Sequence, residues 1–343
     1  MILKKLLFLF LILTSGFSFG QNFKKEKRIY MLDITKSMWG SDNGPDIYEE
    51  VKNALFKGIE DIKDPETIVT IIPFQATHTY EALGSWTFKA GDVDKFNEAK
   101  KVINSYTLKS VPGGYTDIYS ALEKAKEKID NSRVNYIFLL TDGKQSTVPS
   151  SPNKINKVDF SESELLSSLN NWCDYSNKKD VHLFYVMLTE VAASEQIIEI
   201  VKNECNAYAV KGTNINIAFI KPSSNEIKIN LNDNPERIEI ALTANDWTYI
   251  GNNLTIDLNL EENSLFELKS KSATIKNNKI LIELKRKNDD SFEELIKNNP
   301  DGESKMIMKL STIQDVKILN PKIIISVRNK KERVLTLEFT DDE

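Results

Sequence analysis

The segment from Arg28 to Ser37 constrains the fold most, because an apolar run ends there in one acid and two hydroxyls. Such a run is typical of a buried strand, and ligands bind at the carboxyl ends of strands in open α/β sheets. Asp33, Thr35 and Ser37 alternate, so an extended backbone turns all three side chains to the same side. Oxygen ligands of this kind suit Mg²⁺, Mn²⁺ or Ca²⁺ rather than zinc or copper. The segment therefore predicts part of a metal site.

Strand and helix patterns alternate along the first two-thirds of the chain. Strands are predicted at 67–74, 134–140, 181–188 and 207–210, and helices at 46–61, 94–106, 117–129, 161–176 and 194–204. This alternation predicts an α/β fold, a doubly wound and mostly parallel sheet with helices on both faces. We expect this domain to end near residue 220.

The character of the sequence changes after residue 221. Short β-rich segments separated by Asn, Asp, Gly or Pro follow at 226–231, 237–243, 254–260, 280–285, 305–310, 322–327 and 333–339. Regular short strands with turn signals predict an all-β antiparallel sandwich. At 343 residues the chain is also long for one domain. The predicted division is a signal peptide at 1–20, an α/β domain at 21–220 and a β-sandwich at 221–343.

The first twenty residues have the pattern of a secretory signal peptide. Lys4 and Lys5 supply the positive start, Leu6 to Leu13 the apolar stretch, and Ser18-Phe19-Gly20 a cleavage site. An uncleaved anchor is the alternative, but the apolar stretch is short for a span of about 20 residues. We expect an exported protein, either secreted, periplasmic or on the cell surface, with no membrane span after cleavage.

The remaining chain is mildly acidic. The formal net charge is −5 at pH 7, and removal of the two lysines of the signal peptide leaves −7. This balance argues against nucleic acid as a partner. The two cysteines of the chain, Cys173 and Cys205, either form a disulfide in an oxidising compartment or remain buried thiols.

Two further loops carry side chains suited to the same metal. Thr116 follows the turn at Gly113-Gly114 and opens a predicted helix, and Asp142 stands in Thr-Asp-Gly at the end of a predicted strand. In a doubly wound sheet these places share one edge with the Asp33 loop. Each residue taken alone is more simply explained as a cap of a turn or helix. The set of five predicts a metal site.

These residues give the region from about 27 to 220 a resemblance to von Willebrand factor type A (VWA) domains with a metal-ion-dependent adhesion site (MIDAS). The family pattern is Asp-x-Ser-x-Ser followed by a distant Thr and a distant Asp. Direct matches are Asp33, Ser37, Thr116 and Asp142. Thr35 replaces the first Ser and keeps the hydroxyl. The resemblance implies that hydroxyls bind Mg²⁺ directly, that the acids often act through water, and that an outside carboxylate takes an open position.

The resemblance implies an adhesion protein that recognises an Asp or Glu carboxylate of a protein partner. We expect no enzymatic activity and predict no catalytic residue. The alternative is a structural or assembly subunit of a cell-envelope complex that binds mainly through its β-sandwich. Met38 and Trp39 either form a rim for the partner or pack against the sheet. His78 and His182 are expected at the surface or at a strand edge, and the sequence leaves the oligomeric state open.

Overall fold

The computed structural model describes residues 25–328 with several internal gaps. The gaps are 42–43, 77–82, 111–112, 147–157, 159, 191, 202–205, 214, 216, 231–236, 246, 251–253, 263, 288–302 and 313–315. The predicted signal peptide, the strand predicted at 333–339, His78, Cys205 and the side chain of Cys173 lie outside the described residues. Within the described ranges no helix is long and apolar enough to cross a membrane.

The first part of the chain forms a six-stranded sheet whose strands alternate with helices. The strands are β1 (Glu26–Asp33), β2 (Ile68–Phe74), β3 (Trp86–Lys89), β4 (Val134–Thr141), β5 (Val181–Met187) and β6 (Ala207–Lys211). The helices are α1 (Tyr48–Glu60), α2 (Val93–Ser105), α3 (Ile118–Glu127), α4 (Glu162–Asn170), α5 (Trp172–Lys179) and α6 (Glu195–Ile200). The strand order is β3-β2-β1-β4-β5-β6, and edge strand β3 alone is antiparallel in this sheet. The predicted mostly parallel α/β sheet is therefore present.

Strand β1 lies at the centre of the sheet and is buried on both faces. Its apolar side chains alternate between two cores, as expected where helices cover both sides of a parallel sheet. Ile29 and Met31 pack with α3 and α4, whereas Tyr30 and Leu32 pack with α1 and α2. The carboxyl end of the strand places Asp33 at one edge of the sheet.

Two expectations from the sequence are wrong in detail. The helix predicted at 161–176 is two helices, α4 and α5, which meet at Asn171. His182 is fully buried in β5 instead of lying at the surface or a strand edge. Burial lowers its pKa to about 3, so the imidazole is neutral. Its Nδ1 atom lies 3.3 Å from the Tyr208 hydroxyl.

The remaining described strands form two five-stranded sheets. They are β7 (Phe219–Pro222), β8 (Glu226–Asn230), β9 (Arg237–Ala244), β10 (Thr255–Leu260), β11 (Phe266–Leu268), β12 (Ser272–Thr274), β13 (Lys279–Arg286), β14 (Glu303–Ser311), β15 (Lys317–Ile318) and β16 (Lys322–Arg328), with a short helix α7 (Trp247–Ile250). The sheet orders are β12-β10-β14-β16-β8 and β11-β13-β9-β7-β15. Both sheets contribute side chains to one hydrophobic core.

The prediction of an entirely antiparallel sandwich requires a correction. The pairs β7–β15 and β8–β16 are parallel, and each lies at the edge of its sheet. The reason is that β7 to β8 and β15 to β16 each pass from one sheet to the other through a short turn. Because these two crossings run side by side in the same direction, their strands pair in parallel.

The predicted domain boundary at residue 220 falls inside β7. Phe219 packs with the core around Tyr30, whereas the next residue, Ile220, packs in the core of the two C-terminal sheets. Alternation along a strand therefore places consecutive side chains in different cores. The division of the chain into 21–220 and 221–343 stays a prediction.

Candidate metal centre

Asp33 and Asp142 meet because β1 and β4 are parallel neighbours. The register pairs Leu32 with Leu140, so Asp33 at the end of β1 lies beside the end of β4. There the Thr141 hydroxyl donates a hydrogen bond of 2.7 Å to Asp33 Oδ2. Both carboxylates therefore stand at the same edge of the sheet, where parallel strands place their ligand-binding loops.

The loop after β1 turns its hydroxyls towards Asp142. The Thr35 amide donates to Asp33 Oδ1 at 2.9 Å, and a single 3₁₀ turn begins at Lys36. The Thr35 and Ser37 hydroxyl oxygens lie 3.0 Å apart. The Ser37 hydroxyl in turn donates to Asp142 Oδ1 at 3.0 Å. One continuous set of contacts thus joins the first three predicted ligands to the fifth, Asp142.

Thr116 is hydrogen-bonded to the loop that carries Asp142. Its amide donates to Ser146 Oγ at 2.8 Å, and the Ser146 amide donates back to its carbonyl at 2.8 Å. A methyl group added to Gly143 would lie 3.2 Å from Thr116 Oγ1, so this hydroxyl faces the residue after Asp142. Asp117 caps α3 by accepting from the Ser120 amide at 3.1 Å, which fixes Thr116 immediately before the helix.

The structure thus brings the five sequence-predicted residues together from three loops. Four of them are buried, namely Asp33, Thr35, Thr116 and Asp142, and Ser37 is partly exposed. The Lys36 amide also donates to the Gly113 carbonyl at 3.1 Å, which joins the first loop to the second. The role of these residues as metal ligands stays a prediction.

The electrostatics of the site are those of two acids without a counter-charge. Burial, reinforced by the charge of Asp142, raises the pKa of Asp33 to about 7. Burial also raises the pKa of Asp142, against the hydrogen bond from Ser37. In the described part of the chain neither carboxylate makes an ion pair, and Asp142 Oδ2 is buried without a hydrogen-bond partner. Buried polar atoms are almost always partnered, so this oxygen fits a ligand position for a cation.

The donor set itself suits a hard divalent cation. It contains two carboxylates and three hydroxyls, all oxygen, which is the chemistry that Mg²⁺, Mn²⁺ and Ca²⁺ prefer. The described residues contain no group of three or more His, Cys, Asp and Glu side chains that could hold a metal ion. The candidate centre is therefore of the hydroxyl-rich kind.

Several supporting contacts were not assigned from the sequence. Thr141 belongs to the Thr-Asp-Gly motif, but nothing in the sequence indicates that its hydroxyl donates a hydrogen bond to Asp33. The Thr189 hydroxyl donates to the Asp142 carbonyl at 2.7 Å, a contact without any local sequence signal. Gly44 lies so close to Ser37 that an added methyl group would stand 2.7 Å from the Ser37 Cα atom. The alternative that Met38 and Trp39 pack is the one observed: Met38 is buried, and the Trp39 ring stacks on Tyr48 at 4.1 Å.

No protein-family model matches this chain, and no curated protein matches it. Solved structures that resemble it include proximal thread matrix protein 1 (PTMP1) from the mussel byssus, at 12% identity and a TM-score of 0.40, covering 61% of this chain and 52% of that protein. Another is the ArnB paralog VWA2 from Sulfolobus acidocaldarius, at 14% identity and a TM-score of 0.36, covering 89% and 64%. A third is the pilus adhesin SpaC from Lactobacillus rhamnosus GG, at 12% identity and a TM-score of 0.38, covering 89% and 43%.

A further PTMP1 structure, at 11% identity and a TM-score of 0.39, has a zinc-occupied MIDAS motif. This chain spans less than two-thirds of the length of each of the three proteins named above. The architecture of the present chain is established by its own strand order and register.

Proposed function

We propose that this chain is an exported VWA-type binding protein that uses a divalent cation in a MIDAS to recognise an Asp or Glu carboxylate of a protein partner. The observation that carries the proposal is Asp142 Oδ2. This carboxylate oxygen is buried and unpartnered where the loops of Ser37 and Thr116 meet the end of β4. A bound cation would satisfy it and offset the repulsion between Asp142 and Asp33.

The five residues would contribute to cation binding in different ways. Thr35, Ser37 and Thr116 would supply neutral hydroxyl oxygens, and the two acids would supply two negative charges. Together they balance a divalent cation, which when bound would attract an outside carboxylate by charge-assisted contact. Thr141 and the Thr35 amide hold the Asp33 carboxylate in place.

We propose binding rather than catalysis because of the side chains that contact the site. The described contacts of the five residues are with hydroxyls, carboxylates and backbone groups. Recognition of a carboxylate by a cation requires none of the activated nucleophiles that covalent catalysis uses. Export rests on the signal-peptide pattern at 1–20.

The test uses Mn²⁺ as a paramagnetic probe of the site. With Mn²⁺ bound to the chain from Gln21 onwards, the proton relaxation rate of water reports water molecules on the cation. An acetylated, amidated Gly-Asp-Gly peptide is expected to lower this rate saturably by displacing water. The matched Gly-Asn-Gly peptide is expected to leave the rate unchanged, because an amide lacks the charge of the carboxylate.

Two controls separate binding at the site from unspecific effects. Excess EDTA should remove the enhancement of relaxation, and the Thr116→Val variant should weaken it, since valine lacks the hydroxyl. Equal responses to the Asp and Asn peptides would contradict carboxylate recognition. A response to the Asp peptide that survives EDTA would contradict a role for the cation.

A further inference from the structure

A cleft opens at the edge of the six-stranded sheet opposite to the candidate metal centre. It has a volume of about 650 Å³ and includes Glu26, Val134 and Asp180, which stand at or just before the starts of β1, β4 and β5. The candidate metal centre lies at the other ends of the same strands. A strand rises about 3.3 Å per residue, so Val134 and Thr141 are about 23 Å apart. The cleft is therefore a separate feature of the molecule.

One side of the cleft is an apolar chamber between the first sheet and the C-terminal sheets. Tyr136 of β4 and Phe219 of β7 line it with ring centroids 5.0 Å apart, and Leu242 and Trp247 line it from the C-terminal part. We call this space the aromatic chamber. Pockets lined by such side chains bury apolar ligand groups. Its charged lining residues are Glu26, which pairs with Arg28 at 3.1 Å, and the Asp180–Lys221 pair at 3.5 Å.

A second, polar space lies next to the aromatic chamber. It has a volume of about 540 Å³ and shares Asp180, Lys221, Pro222 and Ser223 with the first. We call it the lysine chamber, because Lys178 and Lys179 at the end of α5 also line it. The shared residues place the two chambers side by side, and we call the pair the groove.

The lysine chamber has an excess of positive charge. Its two acids are already engaged in ion pairs, because Asp180 pairs with Lys221 at 3.5 Å and Glu226 pairs at 4.0 Å with Lys228, which does not line the chamber. By contrast, Lys178 and Lys179 make no ion pair with any residue that the structure describes. A ligand group that complements this chamber is negatively charged.

Asparagine residues line both chambers, and the amide group of one of them, Asn245, is already bound to the Phe219 N–H and the Ile217 carbonyl. The asparagines are Asn245 and Asn278 in the aromatic chamber and Asn131, Asn206, Asn225 and Asn320 in the lysine chamber. An amide side chain both donates and accepts hydrogen bonds, as an extended peptide backbone does. A peptide therefore matches the groove better than a compact apolar molecule.

We propose that this groove binds an extended segment of a partner protein, with a large apolar side chain in the aromatic chamber and acidic residues along the lysine chamber. The proposal does not depend on the metal centre, because the groove lies at the opposite sheet edge. A bound segment would contact strand β4 and helix α5 of the first part of the chain, together with strands β7 and β9 of the C-terminal sheets. Binding would thus engage both parts of the chain at once.

The test uses a fluorescein-labelled probe peptide, Gly-Phe-Gly-Glu-Glu-Gly with an amidated end, in fluorescence anisotropy titrations. Excess EDTA is present throughout and removes any divalent cation, so the glutamates of the peptide cannot bind at the metal centre. The result is therefore independent of whether the proposed metal-dependent function is correct. We expect saturable binding by the chain from Gln21 onwards. Peptides with Ser in place of Phe, or with Gln in place of both Glu residues, should bind at least about fivefold more weakly.

Variants of the protein locate the binding. The pair Lys178→Gln and Lys179→Gln should weaken binding about fivefold, the effect of losing two exposed ion pairs. The matched pair Lys57→Gln and Lys101→Gln removes two exposed lysines of α1 and α2 and should leave the affinity unchanged. Ala244→Phe should abolish binding by filling the aromatic chamber, with circular dichroism confirming that the variant folds.

Three outcomes would overturn the proposal. The first is no saturable binding by the unmodified chain. The second is an equal loss of affinity in the two lysine pairs, which would show only a general charge effect. The third is equal binding of the peptides with Phe and with Ser, which would exclude the aromatic chamber.

Discussion

Replacing Asp33 with asparagine is expected to stabilise the metal-free protein and to abolish its stabilisation by Mn²⁺. In the absence of metal, burial and the charge of Asp142 raise the Asp33 pKa from 3.8 to about 7. Ionisation of Asp33 is therefore less favourable in the folded than in the unfolded protein. The free energy of unfolding of the metal-free protein should fall progressively as the pH rises across that interval. At pH 8 the neutral asparagine should recover up to about 4 kcal/mol, since a rise of about three pKa units is worth roughly 1.4 kcal/mol per unit.

Mn²⁺ should reduce this difference between the two proteins. At about 100 times its dissociation constant the cation should stabilise the unmodified protein by about 2.7 kcal/mol and leave the Asp33→Asn variant unchanged. Urea unfolding at pH 8, with EDTA and with Mn²⁺, measures both effects. Asp174→Asn changes an exposed acid of α5 and serves as the control. A variant that is less stable than the unmodified protein in EDTA, or still stabilised by Mn²⁺, would contradict this account of Asp33.

Replacing Gly113 with alanine is expected to damage both the fold and the metal centre. A methyl group on Gly113 would overlap the side chain of Gln75, which is itself buried. The Gly113 carbonyl also accepts from the Lys36 amide, so movement of this turn shifts the Ser37 loop. Overpacking of this kind typically costs about 1–3 kcal/mol. We expect the affinity for Mn²⁺ to fall at least about tenfold because two ligand loops move together.

The neighbouring glycine provides a matched comparison. A methyl group on Gly114 meets no atom within 4 Å, so Gly114→Ala should change the free energy of unfolding by less than about 0.5 kcal/mol. Urea unfolding and Mn²⁺ titration of the two variants measure the difference. Equal behaviour of both variants would show that the packing of Gly113 against Gln75 does not position the loops.

The strands, and the positions of the candidate site residues at their ends, were predictable from the sequence where local pattern and topology agree. The apolar residues of β1 and β4 alternate between two cores, and continuous apolar runs of this length indicate buried strands. The carboxyl ends of these strands determine where Asp33 and Asp142 lie. Parallel pairing then requires that both ends share one edge. Thr116 could be placed because a Gly-Gly turn before a helix is a strong local signal.

Other features depend on contacts between distant residues, which local patterns do not encode. Nothing near His182 in the sequence indicates that both faces of β5 are covered. The parallel pairs β7–β15 and β8–β16 join segments about a hundred residues apart, so an alternating strand pattern alone could not give their direction. The groove at Asp180 and Lys221 likewise forms only where separate sheets meet.

Calorimetric titration of the chain from Gln21 onwards with Mn²⁺ and with Mg²⁺ tests the central claim most directly. The claim is that Asp33, Thr35, Ser37, Thr116 and Asp142 together form a divalent-cation site. The predicted result is saturable binding of one cation per chain, lost in Asp33→Asn and in Asp142→Asn. Absence of saturable binding, or binding that persists in both variants, would contradict the claim.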